Sequence, residues 1–422
     1  MIIHAGATKR QTVCAYVPEN LDVSAHLPPM WQDYGAFFVG GLYLRRHTEK
    51  HRDPNAFYPV SSQVVRQTLP DRGYRAILDS LVGEVIEQES GYQVGVRSRG
   101  YRLAEKYRHK PFRVLPLRHE TLVRKVRSFR EQARATITDP VHQHIRATVE
   151  RVGLVDGWPY PILALAVVAN GDWFFTPCPY GRLHHNLTSM GRAARQYVQL
   201  DGRPLWALDV RNSQPFIFGM VQRGWSAPRV SRLFDFYSKA LPKQRKGKDR
   251  APPRNLRASG PDLGRYLEVC RAGQLYEVLM EEVVKDSRWR HGRDRDRLKK
   301  RFMAVIYGKA KHMGTVVGRA FQKLFPGVFA TAERANAESH GWLPRQMQRV
   351  ESFIVVRRAA SRILAEHPDT PLITVHDSFV THKEHIEKCE NILREEFETA
   401  FGMAPAMSVK PFAEKAEFMM AA

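Results

Sequence analysis

The stretch LITVHDSFV, residues 372–380, places three polar residues between two runs of strand-forming residues. Because Ile, Thr, Val and Phe favour extended backbone while His376, Asp377 and Ser378 favour a tight turn, the stretch predicts a β-hairpin. Asp377 would lie at the tip of that hairpin. An acid at such a tip either forms the turn, which is the commoner case, or serves as a ligand.

A second acid ends an apolar strand in PLWALDVRNSQPFIFGM, residues 204–220. Residues 205–210 are typical of a buried strand, and Asp209 precedes polar residues that turn the chain. The sheet would fix this acid while the turn opens it to a ligand; the alternative is a capping aspartate. If Asp209 and Asp377 came side by side, they could bind two Mg²⁺ ions about 3.5 to 4 Å apart, as in nucleotidyl transfer.

One predicted helix carries side chains that suit a nucleotide. In RDRLKKRFMAVIYGKAKHMG, residues 295–314, Arg295, Lys299, Met303 and Tyr307 are spaced four apart and form one stripe. The two cations suit phosphates, and the apolar and aromatic side chains suit a base and a sugar. An ordinary amphipathic helix has the same character, and in isolation it is the better interpretation.

The charge balance indicates a class of partner. The chain has 422 residues, with 66 Lys and Arg against 43 Asp and Glu, so its formal net charge is +23. A chain this basic favours a polyanionic partner, most often nucleic acid. Ribosomal and membrane-surface proteins share this signature, so it indicates a partner and no reaction.

The cysteines and the apolar runs bear on the compartment. Four cysteines lie far apart, without CxxC pairing or metal-ligand spacing: Cys14, Cys178, Cys270 and Cys389. This pattern favours a reducing compartment over a structural zinc site. The opening residues lack the apolar core of a signal peptide, and no run of about 18 apolar residues occurs. We therefore expect a cytoplasmic protein without a membrane partner.

Residues 61–108 predict helices followed by a hairpin. RAILDSLVGEVIEQ has apolar residues at helical spacing, and YQVGVRSRGYRLA predicts two short strands around a basic turn. The pattern resembles a winged helix-turn-helix with Arg97, Arg99 and Arg102 on the wing. A small α/β scaffold with a solvated basic edge is equally compatible.

Two further segments are strongly basic. ETLVRKVRSFREQARATI, residues 120–137, predicts a helix that is either solvated or follows a phosphate backbone. Residues 239–262 are basic and proline-rich with almost nothing apolar, so they predict a flexible loop outside any packed core.

The three chemical segments occur in an order that resembles a known superfamily. The strand with Asp209, the helix with K-x3-M-x3-Y-G from Lys299 and the hairpin with His-Asp at 376–377 resemble motifs A, B and C. Family A DNA polymerases share these motifs with single-subunit phage and mitochondrial RNA polymerases. YGRLHHNLT, residues 180–188, resembles the segment before motif A, and residues 385–412 resemble the helix and strand after motif C.

The resemblance implies a role for each matching residue. Asp209 and Asp377 would hold two Mg²⁺ ions, for which Mn²⁺ could substitute, with the Val210 carbonyl as a further ligand. Lys299 would be the general acid and phosphate contact, assisted by Arg295. The other nucleotide contacts would be Met303, Tyr307, Gly308 and Gln214, and the primer-template contacts would be Arg182, His184, Asn186, Thr188 and His376.

Departures from the family pattern bear on the choice of nucleotide. Family A DNA polymerases have a glutamate five residues after the first metal-binding Asp, which helps to exclude a 2′-hydroxyl; here Gln214 stands there, followed by Pro215. Met303 and the HDS triplet resemble the RNA polymerases, whereas GRLHHNLT resembles the DNA enzymes. We favour ribonucleotide incorporation or primer synthesis, with a DNA-dependent DNA polymerase of a mobile element as the alternative.

The resemblance implies an α+β right-hand polymerase with an antiparallel palm sheet and helical fingers and thumb. We expect a possible winged-helix module at 1–112, a helical thumb-like region at 113–170 and the catalytic core at 171–422, with fingers at about 220–345. The partners would be a nucleic acid template, its product duplex and nucleoside triphosphates. Two other classes remain open: a DNA-binding replication initiator without catalysis, and a metal-dependent nuclease that uses the same acids.

Overall fold

Helices and short antiparallel strands make up the chain, which confirms the α+β prediction. The computed structural model describes residues 12–48, 53, 55–70, 72–91, 98–223, 260–338 and 341–413. Arg97 and residues 239–259 of the predicted basic loop lie outside these ranges. Among the described helices, none combines the length and the apolar character needed to cross a membrane.

The strands are, in chain order, β1 Cys14–Pro18, β2 Tyr58–Pro59, β3 Ile86–Gln88, β4 Gly100–Leu103, β5 Phe112–Pro116, β6 Val152–Leu154, β7 Phe175–Pro177, β8 Leu183–His185, β9 Val198–Leu200, β10 Arg203–Pro204, β11 Trp206–Val210, β12 Ile373–Val375, β13 Ser378–Thr381 and β14 Met407–Pro411.

The α-helices are, in chain order, α1 Pro29–Thr48, α2 Ser62–Thr68, α3 Tyr74–Leu81, α4 Glu105–Arg108, α5 Glu120–Ala135, α6 Pro140–Glu150, α7 Leu163–Ala169, α8 Asn186–Ser189, α9 Arg192–Arg195, α10 Ser213–Gln222, α11 Asp262–Arg271, α12 Leu275–Val283, α13 Arg295–Tyr307, α14 Val316–Leu324, α15 Pro326–Glu338, α16 Trp342–Ser352, α17 Ser361–Glu366 and α18 Ile386–Phe401. A π-helix, Phe353–Ala360, joins α16 to α17.

The chain divides into two units. The N-terminal unit comprises the residues up to 138 together with 152–174 and 189–202, and the C-terminal unit comprises 139–151, 175–188 and the residues from 203 onward. This division does not follow the expected boundaries at 112 and 170. The reason is that β5 pairs with β1 and that α5 buries Leu122 and Val126 in the N-terminal core, so most of the segment expected to be thumb-like belongs there.

In the N-terminal unit, α2 and α3 lie between β2 and β3 of a three-stranded antiparallel sheet with the order β2-β4-β3. The expected helix from residue 75 to 88 ends early, at Leu81. Val82 is extended and Gly83 has φ +92°, a conformation that favours glycine, so the helix cannot continue. Ile86 then pairs with Leu103 and is fully buried, because its β-branched side chain fills the sheet side of the core.

The C-terminal unit is built around a four-stranded antiparallel sheet in the order β12-β13-β11-β14. The apolar residues of β11 explain its central position: Ala207 and Leu208 are buried, with Leu208 opposite Phe379 of β13 and Val409 of β14. Helix α18 packs against β11, and its Phe397 ring lies 6.2 Å from that of Phe216 in α10. These contacts fix the ends of β11 and β13.

Helices α11 to α16 share one hydrophobic core with α10 and α18. Phe302 of α13 and Phe321 of α14 meet edge to face with ring centroids 5.0 Å apart. Helix α13 begins where the Asp294 side chain accepts a hydrogen bond from the Arg297 N–H, and it ends at Gly308. One face of α13 is therefore buried in this core, whereas the basic side chains of its N-terminal half are exposed.

Candidate active site

The sheet brings the two predicted acids together. Asp209 of β11 lies opposite Ser378 of β13, and the Val210 N–H donates to the Asp377 carbonyl at 3.4 Å. The Ser378 hydroxyl donates to Asp209 Oδ1. The predicted hairpin is confirmed, and its turn is tight because His376 adopts φ +60°. Asp209 at the end of β11 and Asp377 in the turn before β13 are thus neighbours, although they are 168 positions apart in sequence.

Asp377 lies in a concentration of negative charge. Burial raises the pKa of its carboxyl well above the ordinary value, and the charges of Glu351 and Asp209 raise it further. The Lys299 ammonium acts in the opposite direction and lowers it. The carboxylates of Asp209, Glu351 and Asp377 come from three separate segments, and the first two disfavour ionisation of the third. Lys299 of α13 supplies the positive charge that favours the ionised form of Asp377.

Glu351, near the end of α16, is a member of this site that the sequence analysis did not single out. Its side chain is only 1% exposed. The Arg182 guanidinium donates to Glu351 Oε2 through Nε at 3.0 Å and through Nη2, and the Ser213 hydroxyl donates to Oε1 at 2.8 Å. The Gln214 amide lies at the limit of a hydrogen bond, 3.5 Å from Oε2. Glu351 is thus the acceptor on which these donors converge.

The donor set fits divalent magnesium. Carboxylate oxygens are the ligands that Mg²⁺ prefers, and the mutual repulsion of the three acids is the charge that such an ion would offset. Ser378 occupies Oδ1 of Asp209, which leaves Oδ2 for a ligand. Asp209 and Asp377 are the residues that would hold the ion. The contribution of the Val210 carbonyl stays a prediction.

The predicted stripe of side chains is present on α13. The two cations in its N-terminal half both contact the ring of one tyrosine. Arg295 and Lys299 lie over the ring of Tyr276 in α12, with their cationic ends 5.1 and 5.9 Å from its centroid. Arg295 also pairs with Glu277, Nε to Oε1 at 3.0 Å, on the exposed surface. The ring holds the two side chains on one face of the helix while leaving both charges accessible.

The C-terminal half of the stripe is more buried. The Tyr276 hydroxyl approaches Met303 Sδ at 3.9 Å. The Tyr307 hydroxyl is buried and has no hydrogen-bond partner among the described residues. Burial raises the pKa of Tyr307, with Glu351 next in effect. A Cβ added at Gly308 would lie 2.1 Å from the Ala304 carbonyl oxygen, so glycine is required there.

The GRLHHNLT segment, residues 181–188, lies on the β7-β8 hairpin and the short helix α8. The rings of His184 and His376 meet edge to face at 6.4 Å, so this hairpin reaches the hairpin that carries Asp377. Asn186 is buried. Thr188 accepts from the His185 N–H at 3.0 Å and donates to the His185 carbonyl at 2.7 Å.

Two of these observations limit the predicted primer-template contacts. The Thr188 hydroxyl is already used to close the turn after β8. The Arg182 guanidinium pairs with Glu351, so its charge is compensated inside the protein. The primer-template roles of all five residues stay predictions: Arg182, His184, Asn186, Thr188 and His376.

Of the two site residues that the sequence analysis did not identify, Glu351 has a signal in the sequence and Tyr276 has none. Glu351 follows Leu343 and Met347 at intervals of four, and both of these are fully buried, so helical spacing places an acid on the apolar face of α16. An acid there needs a buried partner, and this is the signal that could have identified it. Tyr276 has no comparable signal, because tyrosine is ordinary on a buried helix face.

A second cluster of potential metal ligands lies after β13. His382, Glu384 and His385 place their ligand atoms within 4.8 Å of one another. Arg203 pairs with Glu384, and the nearby Lys388 contributes to the lowered pKa of His385, after burial. Positive charge around this group disfavours a cation.

Comparisons with known proteins add little to this geometry. No family model and no curated protein matches the chain. Among solved structures, the POL domain of Pol1 from M. smegmatis in complex with DNA primer-template and dNTP aligns over 91% of this chain at 12% identity, with a TM-score of 0.38. The alignment spans 66% of the length of that structure. A likeness this low carries no argument, and the function is argued from the site.

Proposed function

We propose that the chain is a template-directed nucleotidyltransferase, a nucleic-acid polymerase that uses two divalent metal ions. The observation that carries the proposal is the pairing of β11 with β13, which makes neighbours of Asp209 and Asp377. Lys299 of α13 acts electrostatically on Asp377, so the motif helix faces the same pair of acids. The order of the three motifs along the chain supports the same function.

The proposed mechanism divides the work among these residues. Asp209 and Asp377 would hold Mg²⁺, which when bound would supply the charge that favours ionisation of a 3′-hydroxyl and offsets that of the leaving pyrophosphate. Lys299 and Arg295 bind the triphosphate through charge-assisted hydrogen bonds, and Lys299 donates a proton to the leaving group. Tyr307 and Gly308 pack against the nascent base pair.

We further propose that ribonucleotides are the preferred substrates. Gln214 stands where family A DNA polymerases have the glutamate that excludes a 2′-hydroxyl, and its amide contacts Glu351 only weakly, at 3.5 Å. Met303 also supports ribonucleotide use, because the methionine at this position of the stripe resembles the RNA polymerases. The proposal of polymerisation does not depend on this preference.

The test is an incorporation assay with purified protein. A labelled primer-template and an unprimed strand are each supplied with Mg²⁺ or Mn²⁺ and with either deoxynucleotides or ribonucleotides. We expect extension by wild type and a loss of at least about a thousandfold in Asp209→Asn and Asp377→Asn, since a two-metal site cannot form without its ligands. Asp369→Asn removes an exposed acid of the same charge and serves as the control.

The alternatives predict different results. Tight DNA binding without incorporation under any condition would exclude polymerisation and favour a non-catalytic initiator. Metal-stimulated degradation of DNA that needs no nucleotide, and that both Asp variants abolish, would indicate a nuclease.

A further inference from the structure

The N-terminal unit contains an arrangement that the polymerase proposal does not use. Along the chain, α1 is followed by β2, then by α2 and α3, and then by the pair β3 and β4, with β4 between the other two strands. This order of helices and strands is that of a winged helix-turn-helix. The sharp turn between α2 and α3 passes through Gly73, which has φ +109° and lies against the Trp31 ring, 3.1 Å from where a Cβ would be.

Helix α3 has one face fixed in the core and one face open. Ile77, Leu78 and Leu81 are buried with the N-terminal core, while Arg75, Ala76, Asp79 and Ser80 are exposed. A helix with its side chains is about 10–12 Å wide, which matches the major groove of B-DNA, about 12 Å. The exposed side chains near the N-terminus of such a helix are those that reach bases and phosphates.

One arginine of α3 and one of α2 lie around the ring of Tyr74, the first residue of α3. Arg75 Nε donates to the Tyr74 hydroxyl at 3.2 Å, and the Arg66 guanidinium of α2 lies 5.8 Å from the centre of the Tyr74 ring. Neither arginine has an ion-pair partner among the described carboxylates. Tyr74 therefore holds two exposed cations together at the surface, where phosphates would neutralise them. The Asp79 carboxylate, one turn further along α3, acts electrostatically on Arg75 without forming an ion pair with it.

Other arginines of this unit are neutralised internally. Arg102, expected on the wing, pairs with Glu87 and donates to the Asn55 carbonyl, and its guanidinium lies 4.2 Å from the centre of the Phe57 ring. Arg108 is buried and also pairs with Glu87. Arg102 thus lies on a strand of the predicted wing, with its charge paired inside the sheet. Arg99 is exposed at the start of β4.

We propose that the helix pair α2 and α3 docks the protein onto double-stranded DNA, with α3 in the major groove and Arg66 and Arg75 on the phosphate backbone. Duplex RNA is disfavoured because its major groove is too narrow to admit a helix. This binding requires neither the carboxylates of the C-terminal unit nor a primer terminus. It gives the chain an attachment to duplex DNA that is separate from its chemistry.

The experiment measures binding of the full chain to a blunt 25-base-pair DNA duplex by fluorescence anisotropy, without nucleotides or divalent metal. We expect the double variant Arg66→Gln/Arg75→Gln to bind at least about tenfold more weakly, with the slope of log K against log salt reduced by about two. The double variant Lys110→Gln/Arg118→Gln removes the same charge from exposed positions on either side of β5, and we expect it to bind within about twofold of wild type.

Two further arms complete the test. Tyr74→Phe keeps the ring and removes the hydroxyl that Arg75 donates to, so we expect an intermediate loss without any loss of thermal stability. A duplex RNA of the same sequence should bind more weakly than the DNA. Equal losses in the two double variants, unchanged binding in the Arg66/Arg75 variant or equal affinity for DNA and RNA duplexes would overturn the proposal. Because no nucleotide is present, these outcomes are independent of whether the chain polymerises.

Discussion

Glu351 shows how one buried side chain links several residues of the candidate site. It accepts hydrogen bonds from Arg182 and Ser213, and its charge raises the pKa values of Asp377 and Tyr307. A buried carboxylate is tolerated only when it is paired, and Arg182 provides the pair. Glu351 therefore joins Arg182 and Ser213 to the electrostatics of Asp377.

We expect Glu351→Gln to shift the acidic limb of the incorporation rate to lower pH. The neutral amide no longer raises the pKa of Asp377, so this carboxyl ionises more readily. The variant should also lose about 3–5 kcal/mol of folding stability, because Arg182 is left half-buried without its partner.

Single-turnover incorporation measured from pH 5 to 9 tests this prediction. Glu366→Gln, which removes an exposed acid on α17, is the control and should keep the wild-type profile. A Glu351→Gln profile that overlays the wild type would show that Glu351 has only a structural role.

His185 makes the folding of the C-terminal unit sensitive to acid. It is fully buried, and its Nε2 donates to the Thr374 carbonyl at 2.9 Å, so the neutral ring carries its proton on that nitrogen. Burial lowers the pKa of His185 to about 4. The unfolded chain, with an ordinary pKa near 6.5, binds more protons in between, so stability is lost as the pH falls from about 6.5 toward 4.

We expect His185→Gln to remove part of this acid sensitivity. The loss from one such histidine between pH 7 and pH 5 is about 2 kcal/mol, and the variant should lack this contribution while being less stable at pH 7. Urea unfolding followed by circular dichroism at the two pH values measures the difference. The exposed His109→Gln should behave as wild type, and an identical pH dependence in His185→Gln would contradict the prediction.

At the scale of elements, helix α13 and the β12-β13 hairpin are the two that local sequence predicts best. The hairpin follows from β-branched residues around a polar turn, and α13 follows from periodic apolar residues. Both are confirmed. The helix predicted from residue 75 to 88 ends earlier than expected, because Ile86 and its neighbours form a strand that pairs with β4. Helical periodicity gives no information about pairing between strands.

We expect Lys299 and Lys300, adjacent on α13, to have different effects. Lys299 lies over Tyr276 and acts on Asp377, whereas Lys300 is about 100° further round the helix and exposed. Lys299→Gln should lower kcat/KM for the nucleotide by about tenfold to a hundredfold, the value of a charge-assisted hydrogen bond. Steady-state kinetics on a saturating primer-template provide the measurement, with Lys300→Gln expected within about twofold of wild type. Equal losses in both variants would indicate a general effect of charge on nucleic acid binding.

At the scale of the whole molecule, the net charge of +23 dominates association with polyanions. Many arginines are compensated within the protein, as Arg182, Arg102 and Arg357 are, so the formal charge overstates what a partner meets. Other cations are exposed, among them Arg124 of α5 and Lys299, Lys300 and Arg301 of α13. Binding to nucleic acid should therefore depend steeply on salt.

We expect affinity for duplex DNA to fall by about a thousandfold or more between 50 and 200 mM salt, as when six to ten phosphates are neutralised. Anisotropy titrations over that range give the slope of log K against log salt. A poly-glutamate competitor should not reproduce the DNA affinity, because it lacks the groove that α3 would enter. A slope near zero would show that the formal charge is not used for binding.

The sequence by itself determined the local elements that carry the chemistry: a strand ending in Asp209, a helix with the Arg295 to Tyr307 stripe and a hairpin with Asp377 at its tip. These depend on backbone preference and periodicity, which are properties of neighbouring residues. Only the tertiary structure decided that Glu351 joins them, that Arg182 and Arg102 are held in internal ion pairs and that residues 113–138 belong with the N-terminal unit. The physical reason is that charge compensation and core packing join residues far apart in sequence, and a local pattern contains no information about which partners will meet.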